Sequence, residues 1–246
     1  MNDVLTWLTD GVHWQGSDGI PIRIWEHLKY CFVALGIAGL IAIPLGLWVG
    51  HTGRGRFVAV NLTGALRAVP SLGLLFVAIM VLGPRLKGEA GIYVPTIVVL
   101  VVLAVPPILA GAYAGVEQVE AAARDAARGM GMRGSEVLWQ VEVPCALPLI
   151  ASGFRSAALQ VVATATIAAA VGLGGLGRFL LDGLSVRDYA QMAGGAALVA
   201  ILALLVDLAL ATLQRVVVSP GLTGKTVGRK NAQTTTQGTS IRATGS

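Results

Sequence analysis

Charge is what this chain has least of. Only 13% of its 246 residues are Asp, Glu, Lys or Arg, about half of the roughly 25% usual in soluble domains. With 55% hydrophobic residues and a mean hydropathy of +0.74, that shortage excludes an ordinary soluble α/β or all-β core and points to a lipid environment. Three histidines and two cysteines are too few and too scattered for a metal cluster or a disulfide framework. Cys31 and Cys145 fall on opposite membrane faces in the topology drawn below, so they should not pair, and both read as small apolar fillers. Aromatic residues make up 6% of the chain and offer no evident cage for a methylated ammonium group. No paired acids and no Ser/His/Asp arrangement share a layer, so no catalytic site is expected. The net charge of +5 is modest, and no nucleic-acid partner is expected. Internal repeats are absent. Residues 1–28 do not read as a cleavable signal: they are mixed, they contain Trp7, Trp14 and Trp25, and the apolar run after them is long enough to span.

What is present is a series of long apolar runs. A bilayer core takes roughly 20 residues of helix, and five stretches qualify: about Tyr30 to Gly50, Phe57 to Gly83, Ile92 to Ala114, Leu147 to Leu173 and Met192 to Leu213. The second is too long for one straight helix and holds Arg67 and Pro70. Proline removes a backbone donor and disfavours helix at the residue before it, so a break is predicted near Arg67–Ser71. Pro106 and Pro107 are predicted to kink the third span. An N-terminus outside puts ten basic residues on the cytoplasmic side: Arg54, Arg56, Arg124, Arg128, Arg133, Arg215, Lys225, Arg229, Lys230 and Arg242. It leaves six outside: Arg23, Lys29, Arg85, Lys87, Arg178 and Arg187. The excess favours N-out, C-in. The three tryptophans near the start predict a segment at the outer interface. The end, about Gln233 to Ser246, is rich in Thr, Ser and Gly and is expected to be disordered.

A charged island, residues 116–144, interrupts the apolar chain. Glu117, Glu120, Arg124, Asp125 and Arg128 form an alanine-rich helical stretch, and Gly129, Gly131 and Gly134 let the backbone turn. Ser135 is placed as the cap of a second short helix, with Glu136 in its first turn where the helix dipole favours an acid. Pro144 is expected to stop that helix and restart the chain as the fourth span. The product is a helix–turn–helix element at the cytoplasmic surface presenting Met130, Met132, Leu138 and Trp139. On chemistry alone, an ordinary interfacial helix fits equally well.

The island also resembles the "EAA" loop of ABC importer permeases. The pattern of an acid and two alanines, a glycine six positions after the acid, then two aliphatics and a proline is met by Asp125, Ala126, Ala127, Gly131, Val141, Val143 and Pro144. The departure is Asp where the family has Glu. The run Leu147 to Leu184, with Ser152–Arg155, Thr164-Ala165-Thr166 and Gly172 to Gly177, is similar to the permeases of glycine betaine/carnitine/choline importers. So is Arg67 to Leu75, although Arg67 replaces a neutral polar residue. The resemblance covers about residues 25–215. It implies an all-α polytopic membrane protein of about five transmembrane helices, the second counted as one kinked span or as two shorter helices, with the fold of a type I, methionine-permease-like, transmembrane domain. Residues 1–28 are then an outer-face segment, 29–215 the permease domain, and 216–246 a cytoplasmic tail. It also implies two permease chains, identical or related, in a prokaryotic plasma membrane. Each would offer its loop to one subunit of a separate ATPase dimer, which uses the ATP, while a substrate-binding protein docks outside. In that picture Asp125, Ala126 and Ala127 anchor the helix pair, Gly131 permits the turn, and Val141 and Pro144 set the return to the membrane. An amino-acid cargo such as methionine, or a secondary transporter or channel, are the alternatives.

Residues 219–226 end in Gly-Lys-Thr and mimic a phosphate-binding loop. Ser219 stands where its first glycine must be, and only twenty residues follow, with no room for a βαβ unit. No cofactor is expected on this chain. Arg67, Arg155 and Asp207 are the ionisable residues in or near spans, where charge is costly. Arg155 and Asp207 are read as snorkelling to the cytoplasmic interface. Arg67 stands as a pathway candidate with Ser71, Gln160, Thr164 and Thr166, and an Arg67–Asp207 pair is left open. Gly153, Ala157, Gln160 and Thr164 share one helical face, read as close helix packing ahead of a pathway lining. The glycines at 172–177 are read as an outer turn.

Overall fold

A computed structural model describes the backbone of residues 2–218, without the side chains of Asn2, Val58, Val60, Leu62, Thr63, Leu66 and Arg67. Among the described residues the chain is helical throughout. It runs α1 (Asn2–Thr9), a 3-10 turn (Gly11–Trp14), α2 (Ile20–Thr52), α3 (Arg56–Ala68), α4 (Ser71–Leu82) and α5 (Ala90–Glu117). Then follow α6 (Ala121–Gly129), α7 (Gly134–Val137), a π-helical turn (Leu138–Glu142), α8 (Val143–Thr164), a 3-10 segment (Ala165–Val171), α9 (Gly177–Val186) and α10 (Tyr189–Val217).

Four helices are long and apolar enough to cross a membrane: Ile20–Thr52, Ala90–Glu117, Gly134–Val171 and Tyr189–Val217. The second apolar run is split as the proline predicts. Val69 and Pro70 are extended, with ψ of 127° and 117°, because the proline ring crowds a helical residue before it. Neither α3, with 13 residues, nor α4, with 12, crosses alone.

Two boundaries differ from the sequence reading. The first span begins at Ile20 rather than near Tyr30, with Pro21 in its first turn, where a missing N–H costs nothing. Of the three early tryptophans Trp14 and Trp25 are exposed, whereas Trp7 is 7% exposed, meets the Phe179 ring edge-on at 5.3 Å and lies over Gly194. Pro144 does not end a helix. The chain is helical from Gly134 to Val171, and the π-helical turn absorbs the lost donor: the Val143 N–H bonds to the Leu138 carbonyl, one residue beyond the α-helical partner. Pro106 and Pro107 lie buried within an unbroken α5.

The centre of the bundle is α5, clasped by α2 and α8 through seams of small residues. A Cβ at Gly46 would lie 2.6 Å from the Ala112 Cβ, and one at Gly50 2.7 Å from that of Val116. On the other flank, a Cβ at Gly111 would lie 2.6 Å from the Leu149 carbonyl and one at Gly153 2.6 Å from the Pro107 carbonyl. Gly46/Gly50 and Gly111/Gly115 are small-xxx-small pairs, which let helix backbones touch where lipid supplies no hydrophobic drive. Gly153 and the fully buried Ala157 therefore serve packing. The least buried long helix, α10, is tied to α8 by polar contacts. Arg155 and Asp207 form a bidentate pair, with Nη2 2.6 Å from Oδ2 and a second contact from Nε to Oδ1. Asp207 is thereby engaged by Arg155 of α8. In a low-dielectric layer, pairing across helices satisfies both charges. Cys31 is buried, Cys145 exposed, and neither is in a disulfide.

Candidate functional site

The island forms the helix–turn–helix element. Gly131 has φ of +88°, a left-handed conformation that glycine adopts without strain. The turn is closed by bonds from the Met130 N–H to the Ala126 carbonyl (3.0 Å) and from the Met132 N–H to the Ala127 carbonyl (3.2 Å). Ser135 does not cap α7; Arg133 occupies that position, and the Glu136 carboxylate accepts from the Arg133 N–H at 2.6 Å. The carboxylate reaches back to the orphan donor, so no hydroxyl is required.

Ala127 is buried at 2% exposure, whereas Ala126 is exposed and Asp125 has a 74% exposed side chain. The Asp125 ion pair is with Arg128 of its own helix, at 3.8 Å. Val141 and Pro144 are half-buried. Met130 and Trp139 protrude, 72% and 63% exposed. Leu138 instead packs on the cluster of Leu47, Ala112, Val116, Ala146 and Ile150.

The element is mounted through Glu142, a residue the sequence reading passed over. Its side chain is 1% exposed; Oε2 lies 2.6 Å from the His51 Nδ1 at the end of α2, and Oε1 lies 2.9 Å from the Arg124 Nε of α6. Arg124 also donates to the Val116 carbonyl near the end of α5. One buried carboxylate thus joins α2, α6 and the π-helical turn into α8. Arg56 at the start of α3 pairs with Glu117 of α5 at 2.8 Å. The one sequence signal was an acid two residues before Pro144 in an otherwise apolar run.

The opposite end of the bundle carries the glycine turn. Gly172 and Gly175 have φ of +86° and +94°. The Gly175 N–H donates to the Glu26 Oε2 of α2 at 2.8 Å, and Arg23 holds the same oxygen at 2.9 Å. A Cβ at Gly174 would overlap the Glu26 carboxylate. The glycines therefore turn the chain against α2. The fully buried His27 meets the Val162 carbonyl through Nε2 at 2.9 Å, pinning α2 to α8.

Of the pathway candidates, Ser71 is the first residue of α4, directly at the break. Gln160 and Thr164 are half-buried on α8. Thr166 lies in the 3-10 segment and donates to the Ala163 carbonyl at 2.8 Å. The Arg67 side chain and the P-loop mimic at 219–226 lie outside the described residues, as does all of the tail beyond Val218.

Comparison with known proteins matches residues 42–221 to the family described as "Binding-protein-dependent transport system inner membrane component". The glycine betaine/carnitine/choline transport system permease protein OpuCB of Bacillus subtilis is 33% identical over 225 residues, 91% of this chain and 98% of the relative. The choline transport system permease protein OpuBB of the same organism is 32% identical over 200 residues, 81% of this chain and 89% of the relative. Among solved structures, the inward-facing MetNI methionine ABC transporter aligns with a TM-score of 0.68 at 23% identity, over 89% of this chain and 100% of that one. That identity speaks to the fold, a type I importer transmembrane domain. A transport component rather than an enzyme, this chain belongs to the family of binding-protein-dependent transport system inner membrane components, the permeases of ABC importers.

Proposed function

We propose that this chain carries small methylated-ammonium solutes, such as glycine betaine, choline or carnitine, inward through an ATP-driven importer. The cargo reading is supported by the named substrates of relatives that match nearly their whole length; the methionine transporter's likeness bears on fold alone.

For coupling, the observation that carries the proposal is the Glu142 mount. A helix pair fixed from beneath by a buried carboxylate, yet showing Met130 and Trp139 to its surroundings, is suited to being gripped by another protein. Two permease chains, identical or related, would each dock this element on a subunit of a cytoplasmic ATPase dimer that binds the ATP. A push on α6 and α7 passes to α2 through His51, to the end of α5 through Arg124, and directly along α8, since the π-helical turn keeps that helix continuous. Three spans then move together, which alternating access requires. Asp125, Ala126, Ala127, Gly131, Val141 and Pro144 form the coupling set. Ser71, Gln160, Thr164, Thr166 and Arg67 are the pathway candidates. The basic-residue count over the whole sequence, ten against six with the residues beyond Val218 included, favours a cytoplasmic coupling end and an N-terminus outside. The binding protein would then deliver at the glycine-turn end.

Co-purification with the partner ATPase tests the coupling. A complex lost with Gly131→Pro supports it, and solute uptake that persists without ATP hydrolysis rejects it in favour of a secondary transporter or channel. Uptake of methionine, with none of glycine betaine or choline, rejects the cargo.

A further inference from the structure

Beside the glycine turn, α2 and the start of α5 line an open pocket of about 470 Å³. Glu26, Lys29, Tyr30, Glu89, Tyr93 and Leu173 line it. Tyr30 and Tyr93 meet edge-on, with ring centroids 5.8 Å apart and planes at 61°, so the contact uses at most one face of one ring. The Lys29 ammonium hangs over the Tyr93 ring, 5.9 Å from its centroid. That ring face already receives a cation. Glu89 is exposed, and while its backbone carbonyl accepts from the Ile92 and Tyr93 N–H groups, its carboxylate has no hydrogen bond or ion pair among the described residues. Glu26 has one oxygen held by Arg23 and the Gly175 N–H.

A pocket with an aromatic face, an unpaired carboxylate beside it and a movable ammonium has a definite chemical preference. A metal ion asks for several close oxygens, and Glu26 has one already engaged. A primary amine asks for hydrogen-bond acceptors in tight geometry. A quaternary ammonium donates no hydrogen bond, and ring faces with nearby negative charge suit it best. We propose that this pocket binds a small methylated-ammonium compound, whose quaternary group replaces Lys29 on the Tyr93 ring while Glu89 supplies the counter-charge. The displaced Lys29 ammonium is then free to meet the carboxylate of a zwitterion such as glycine betaine, a contact that choline lacks. This inference rests on the proposed cargo, and under the proposed orientation the site is at the outer face, where the binding protein delivers.

The test is equilibrium binding of radiolabelled glycine betaine and of choline to the purified full chain in lipid nanodiscs, without ATPase or binding protein. Wild type should bind both saturably. Tyr93→Phe keeps the ring face and should bind nearly as well, while Tyr93→Leu should bind both at least about tenfold more weakly. Glu89→Gln should weaken both, and Lys29→Gln should weaken glycine betaine alone. No saturable binding by wild type, or equal binding by the Phe and Leu variants, overturns the site. The reconstituted importer separates the two readings. If it carries glycine betaine while the isolated chain binds none, the site fails and the cargo stands. If the chain binds and the importer carries neither compound, the cargo reading fails and the site stands. Monodisperse elution of Tyr93→Phe and Tyr93→Leu alike establishes that the comparison reads the ring rather than the fold.

Discussion

The carboxylate of Glu142 lies 2.6 Å from the Nδ1 of His51, although the two residues belong to different ends of the sequence pattern. That contact, with Arg124 on the other oxygen at 2.9 Å, ties the helix–turn–helix element to the first span. Removing one partner of a buried ionic cluster leaves the others uncompensated. Glu142→Ala is expected to destabilise the purified chain by about 3 kcal/mol, the low end of the usual range, because His51 and Arg124 retain some contact with water. Thermal unfolding in detergent measures it. A variant as stable as wild type would show that the mount is ornamental, and Glu142→Gln should fall between the two.

Asp125 is predicted to behave in the opposite way. With a 74% exposed side chain and a 3.8 Å pair within its own helix, it contributes little to the isolated chain. Asp125→Ala should change stability by no more than about 0.5 kcal/mol and still weaken ATPase co-purification, while Asp125→Glu preserves both. Should Asp125→Ala co-purify with the ATPase as well as wild type, the residue has no coupling role.

Gly131 discriminates by backbone conformation rather than by volume. No neighbour lies within 4 Å of a Cβ built there, but its φ is +88°. Gly131→Asn should be tolerated, whereas Gly131→Val should cost about 1–2 kcal/mol and loosen the turn that presents Met130. Circular dichroism melts and ATPase stimulation, compared across the three side chains, give the ranking; equal behaviour of Asn and Val would refute it.

At Gly153 the constraint is volume. A Cβ there would lie 2.6 Å from the Pro107 carbonyl and 2.9 Å from the Gly111 Cα, and both are backbone atoms that cannot swing away. Gly153→Ala should cost about 1–3 kcal/mol as overpacking of α5 against α8, and Gly153→Val should abolish a monodisperse elution peak. A Val variant that elutes and melts like wild type would mean the helices separate freely.

The Arg155–Asp207 pair predicts non-additivity. Arg155→Leu and Asp207→Leu should each lower the melting temperature, and the double variant should lie above the worse single one, since no unpaired charge then remains at that depth. Simple addition of the two effects would show that the residues act independently.

These tests divide along a line that the residues themselves draw. Hydropathy, the extended break at Val69–Pro70 and the turn at Gly131 were legible in the chain alone, because lipid burial, proline geometry and the αL preference of glycine act on a residue through its immediate neighbours. So was the family resemblance of Asp125 to Pro144. The tolerance of Pro144 was not legible, because it depends on how the preceding turn rearranges its hydrogen bonds, here through i→i+5 bonding at Val143.

Pairing was decided only by the tertiary structure. Thirteen acids and eighteen bases allow many salt bridges, and sequence spacing cannot choose among partners on different helices. The close approach of α2, α5 and α8 along their glycine seams decides that Glu142 meets His51 and that Tyr30 and Tyr93 line one pocket, and the packing of α10 on α8 decides that Arg155 meets Asp207. The sequence by itself determined a helical membrane permease with a charged helix–turn–helix element. Which charge anchors that element depends on distance in three dimensions, and packing alone sets that distance.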